Sequence, residues 1–172
     1  MTPPVYIIAA ADPKNGIGIK GKLPWSLKKD LAYFQKKTIK TADANKRNMV
    51  VMGRNTWLSL PEVARPLPGR KNVVLSHEKN FKAPNATVVY SMDEAMRQAD
   101  ERIESVFIIG GAKVYEQTIS RKDVKGIYLT RIKKEFKCDA FFPKIPNSFK
   151  LAKTKENEEN GLKFEFQYYE RK

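Results

Sequence analysis

The chain has 172 residues, with 33 Lys and Arg against 19 Asp and Glu, a formal charge of +14, one cysteine and one histidine. That length buries a core without staples, and the lone Cys138 excludes an internal disulfide framework or a cysteine-rich zinc site. No segment has the apolar length of a membrane span, the opening MTPPVYIIAAADP lacks a basic leader, and the scattered basic residues carry no nucleic-acid signature, so a cytoplasmic protein with a solvated basic surface is expected.

In chain order, the runs at 5–10 (VYIIAA), 48–53 (NMVVMG), 71–76 (KNVVLS), 87–90 (TVVY) and 105–110 (SVFIIG) are short and rich in Val and Ile. Such runs suit strands covered on both faces. Helical patterns at 27–38, 54–60, 92–100 and 112–119 alternate with them, as in α/β folds with right-handed crossovers. Residues 126–132 and 161–171 contain alternating stretches, which predict an antiparallel hairpin at the sheet edge, with KENEENG as its acidic connection or part of it. No repeat or long linker interrupts the chain, so one domain over 1–172 is expected.

The helical pattern at 27–38 holds an anomaly. With Ser26 as N-cap and about 100° of turn per residue, Leu27, Asp30, Leu31 and Phe34 share one side, so a carboxylate points inward with the hydrophobes. Capping does not account for it, because Ser26 as N-cap makes Lys29 the capping-box residue. A buried ion pair with a distant arginine stands as one alternative. The other is a desolvated acid, its pKa raised, that grips a ligand carrying a matching N–H pair.

In a mostly parallel sheet, ligands bind beyond the carboxyl ends of the strands. There the sequence has Gly110-Gly111 before a helical pattern, Arg54 and Thr56 opening another, and Ser76-His77 after a third run. Three strand ends with phosphate-friendly groups suggest a dinucleotide across the sheet. The single His77 removes Ser-His-Asp catalysis and multi-histidine metal sites, and no metal is predicted. The loop KNGIGIKGKLPW, long for a strand-to-helix connection, has the character of a segment that closes over a ligand.

Taken together, NGIGIKGKLPW with the following Asp30 and Phe34, VVMGRNTW, RPLPGRKNVVLS, FIIGGAKVY, and YLTRI followed by DAFFP resemble dihydrofolate reductase over nearly the whole chain. The resemblance implies a central mostly parallel mixed sheet of about eight strands with an antiparallel C-terminal hairpin and about four helices. It also implies a cytoplasmic monomer that reduces 7,8-dihydrofolate with NADPH and binds antifolates. Asp30 matches the acid that grips the pterin and assists protonation at N5, with Trp25 holding a water near it, Thr130 bonding it and Leu23 in the closing loop. Ile8 and Ile109 would offer carbonyls to the pterin, with Ala10 and Tyr115 beside it. Leu31, Phe34, Leu60 and Leu67 would wall the rings, and Arg70 would pair with the glutamate α-carboxylate.

For NADPH, Ala10 and Ile17 match the nicotinamide neighbours, and Gly110 and Gly111 the diphosphate turn. Thr56 matches a phosphate contact, and Arg54 and His77 the neighbourhood of the 2′-phosphate. Gly53, Asn55, Leu75, Ser76, Ala112, Lys113, Val114 and Tyr115 complete the set. The chain departs at Tyr90, where many relatives carry a basic residue, which weakens the case for strong discrimination against NADH. It departs again in having Asp rather than Glu at position 30, one residue nearer the Pro-Trp pair than in vertebrate enzymes, a bacterial and protozoal pattern.

Overall fold

The computed structural model describes residues 2–172. Its elements in chain order are β1 (Val5–Ala11), β2 (Gly16–Gly18), α1 (Lys28–Ile39), β3 (Arg47–Gly53), α2 (Arg54–Ser59), a 3-10 turn (Glu62–Ala64), β4 (Arg70–Leu75), β5 (Thr87–Val89), α3 (Met92–Arg97), β6 (Ile103–Ile108), α4 (Ala112–Thr118), β7 (Val124–Ile132), β8 (Ala140–Phe141), β9 (Phe149–Glu159) and β10 (Leu162–Arg171). Eight strands form one sheet in the order β5-β4-β3-β6-β1-β7-β10-β9. The six from β5 to β7 run parallel. β10 pairs antiparallel with β7 and with the edge strand β9.

The parallel strands are buried on both faces, as their continuous apolar runs require. In β3, Met49 and Val51 pack on one side of the sheet with Ile7, Val73 and Ile108, while Val50 and Met52 pack on the other with Ile8, Trp57 and Val74. A third cluster of Trp25, Leu27, Ile132 and Phe164 ties the segment before α1 to β7 and β10. At the far end of α1, the Asn48 amide donates to the carbonyls of Thr38 and Lys40, each at 3.0 Å. Both ends of α1 are therefore anchored to the sheet. No helix among the described residues is long and apolar enough to cross a membrane.

Several sequence expectations shift. The residue before α1 is Leu27, extended at φ −129° and without a side-chain cap, so Ser26 is not the N-cap. Leu31, expected on the buried stripe, is 57% exposed, and the inward face runs through Leu27, Asp30, Phe34 and Thr38. Most of KENEENG is strand: Lys155–Glu159 belong to β9, and only Asn160-Gly161, at φ +50° and +80°, make the turn. Two residues with positive φ are what a type I′ hairpin demands. The turn-linked partner of β10 is therefore β9, although β7 does pair antiparallel with it. The helix expected over 92–100 ends at Arg97, because the Asp100 carboxylate takes the Arg102 N–H at 2.9 Å and turns the chain toward β6.

Candidate active site

The first turn of α1 presents Asp30 toward β7, where the Thr130 hydroxyl donates to its Oδ1 at 2.7 Å. Burial raises the Asp30 pKa above the ordinary carboxylate range, the Thr130 bond opposes this by favouring the anion, and the charge of Glu159 raises it further. The ion-pair alternative does not describe this acid, since among the described residues it has neither an arginine nor a lysine partner within ion-pair distance. Nearby, the buried Tyr115 hydroxyl donates to the Ile8 carbonyl at 2.8 Å, leaving that oxygen one lone pair for a second donor. Burial, and then the charge of Asp30, push the Tyr115 phenol up, so it stays a neutral donor. Trp25 packs edge-on against Phe136, and its buried Nε1–H has no partner among the described residues. A buried donor left open is a place for a water or a ligand group.

Phe34 and Leu60 pack, partly buried, against the cluster that contains Leu67. The loop carrying Leu67 is held by Asn72, whose side chain exchanges two 2.9 Å bonds with the Leu67 backbone. At its end Arg70 is buried, donating Nε–H to the Pro68 carbonyl and Nη1–H to Thr38 Oγ1, both at 2.9 Å. No carboxylate pairs with it among the described residues, and burial alone lowers its pKa. Two of its five N–H groups are spent, which leaves three for an incoming anion. Leu23 and Leu31 stand 53% and 57% exposed, one on the loop and one on the helix that flank Asp30 in the chain.

A cavity of about 820 Å³ opens beyond the carboxyl ends of β1, β3, β4 and β6. Every position expected to touch the cofactor lines it: Ala10, Ile17, Gly53 through Thr56, Leu75 through His77, and Gly110 through Tyr115. Leu23 of the closing loop and Ile109 of the substrate set join them, whereas Ile8, Trp25, Asp30, Arg70, Thr130 and the ring-walling residues lie outside this lining. Tyr115 borders both regions. The glycines permit a close backbone approach: a Cβ on Gly53 would meet Val114 Cγ2 at 3.2 Å, and one on Gly110, at φ +118°, the Tyr115 hydroxyl at 3.2 Å. Gly53 N–H donates to the Gly110 carbonyl at 2.8 Å and locks the two strand ends together.

One feature departs from a simple anion site, because Arg54 is ion-paired to Glu78, which lines the same wall with Tyr90. Neither Glu78 nor Glu159 was legible as a site residue, since each lies in a polar stretch with no periodicity. Asp139, which lines the cavity just before β8, accepts the Lys20 N–H at 3.0 Å and so ties that segment to the loop after β2.

An open, mostly parallel sheet with a long cavity across its strand ends, together with an inward, protonatable carboxylate and, outside that cavity's lining, an arginine with no carboxylate partner among the described residues, is the architecture of an α/β enzyme built for two ligands. The family model described as dihydrofolate reductase matches residues 4–171. The chain is similar to the dihydrofolate reductase of Aedes albopictus, 42% identical over 178 residues and covering 96% of each chain. It is similar also to a putative dihydrofolate reductase of Caenorhabditis elegans, 41% identical with 93% of each chain covered, and to the dihydrofolate reductase of Mus musculus, 36% identical over the full length of both. The chain belongs to the dihydrofolate reductase family, and its activity is the reduction of dihydrofolate to tetrahydrofolate.

Proposed function

We propose that the reductant is NADPH and that Asp30 binds the pterin and assists protonation at N5, in a single domain that supplies tetrahydrofolate for one-carbon metabolism and thymidylate and purine synthesis. The observation that carries this reading is Asp30 itself, turned inward, its carboxylate bonded among the described residues only to Thr130 and held above the ordinary carboxylate range by burial. As an anion its two oxygens match the N3–H and 2-amino pair of a pterin; once protonated it is a proton source at a half-buried site.

The cavity fits the cofactor. Gly53, Gly110 and Gly111 leave room for a diphosphate against the backbone, and Thr56, Lys113, Ser76 and His77 supply polar groups along the same wall. NADPH, when bound, supplies the hydride. Arg54 is the arginine on this wall, and its pairing with Glu78 together with Tyr90 makes the preference over NADH modest. Ala10 and Ile17 would flank the nicotinamide, and Leu23 would close over the substrate.

Arg70 would pair with the substrate's α-carboxylate through its three free N–H groups, a fork suited to bidentate contact. Leu31, Phe34, Leu60 and Leu67 would enclose the aminobenzoyl ring. The test is to follow NADPH absorbance with dihydrofolate present and absent, and then with NADH. Consumption that depends on dihydrofolate and slows severalfold with NADH supports the reading; equal rates without dihydrofolate overturn it.

A further inference from the structure

Asp30 occupies a position where an acid ordinarily serves its own helix. Leu27 precedes α1, so Lys28, Lys29 and Asp30 are its first three residues, and a carboxylate in third place is the one that reaches back in a capping box. Leu27 brings no side-chain cap, and the opening N–H groups need acceptors. They find them on a distant strand. Glu159, the last residue of β9, accepts the Lys28 N–H on one carboxylate oxygen and the Lys29 N–H on the other, each at 2.8 Å. Lys29 Nζ returns the contact by donating to the Glu158 carbonyl at 2.9 Å, so the hairpin tip and the helix clasp each other.

We propose that Glu159 is a positioning residue for the reaction: its carboxylate takes the N–H groups that open α1 and so leaves Asp30 free to face Thr130 and the substrate. This rests on the role of Asp30 proposed above. Without Glu159, the bare N–H groups would attract Asp30, the acid in the helix's own first turn. The Asp30 carboxylate would then be stabilised as an anion and drawn toward its own backbone.

The charges around the pair are few. Facing Asp30 are Thr130 from β7, the neutral phenols of Tyr115 and Tyr33, and Glu159. Facing Glu159 are Lys29 and Lys28, whose N–H groups hold its pKa below the usual carboxylate range, so it stays ionised while Asp30 titrates.

The test compares Glu159→Gln and Glu159→Ala with the unchanged enzyme, reading kcat/KM for dihydrofolate against pH at saturating NADPH. In parallel, the Asp30 carboxyl is titrated by carbon NMR without ligands, its signal identified by loss in Asp30→Asn. Both variants are expected to move the alkaline fall in rate, and the NMR midpoint, to lower pH by about half a unit, the effect of one charge at a helix end. Above both midpoints this is roughly a threefold loss of kcat/KM, and below both the rates agree within about twofold. Unchanged midpoints, or a loss uniform across pH, would overturn the proposal. If the Ala variant does not fold, the Gln variant alone decides. Full activity in Asp30→Asn would remove the role proposed for Asp30, whereas the NMR midpoint still judges what Glu159 does to it.

Discussion

Replacing Arg70 with leucine isolates one contact whose size follows from the structure. The guanidinium is buried, makes two 2.9 Å bonds to Pro68 and Thr38, and has no carboxylate partner among the described residues. A bound α-carboxylate would add two charge-assisted bonds; one hydrogen bond to a charged group contributes about 1.5–3 kcal/mol, and a factor of ten in affinity is about 1.4 kcal/mol. Because the contact lies far from the reacting atoms it acts on ground state and transition state alike, so loss of the two bonds together raises KM about 100-fold or more with kcat changed less than about threefold. Steady-state kinetics with dihydrofolate, and with a dihydropterin lacking the benzoylglutamate tail, separate the cases. Stability should change little, since the leucine forfeits two hydrogen bonds but also removes an unpaired buried charge. Equal losses for tailed and tailless substrates would refute the assignment.

Asp30→Asn should lower turnover at neutral pH by about 100-fold or more while leaving NADPH affinity unchanged, which equilibrium fluorescence titration checks. The same change should raise the melting temperature at neutral pH. With its folded pKa raised, Asp30 binds its proton more tightly folded than unfolded, so the unchanged protein loses stability as pH rises from the unfolded carboxylate value through the raised one, and asparagine abolishes that fall. Thr130→Val removes the one hydrogen bond that favours the Asp30 anion, so the alkaline limb of the rate profile should move to higher pH, opposite to the Glu159 variants. Phe164→Ala should cost about 3–5 kcal/mol in urea denaturation, since that ring is fully buried among Trp25, Leu27 and Ile132.

The parallel core was legible because it is written in local chemistry. Strands buried on both faces must be apolar without interruption, so β1, β3, β4 and β6 stand out as Val- and Ile-rich runs, each found within about two residues of its ends. The cavity positions followed from the same source, since glycines and small polar residues after such runs fall at strand ends. β9 left no such mark. Its residues from Lys150 to Glu158 are nearly all exposed, with neither alternation nor an apolar run to betray a strand. The Asn160-Gly161 pair beside it was the available signal, a two-residue turn that requires strand on both sides.

What the sequence determined by itself was the placing of Asp30 on the inner face of a helix and the kinds of group at each strand end, because helical pitch and strand burial are set by neighbours in the chain. What only the tertiary structure decided was which groups meet. Thr130 reaches Asp30 across 100 residues, Glu159 caps a helix 130 residues before it, and Glu78 claims Arg54. Those pairings depend on strand order and on where β9 ends, and a carboxylate in a polar stretch carries no local sign of the partner that folding will bring to it.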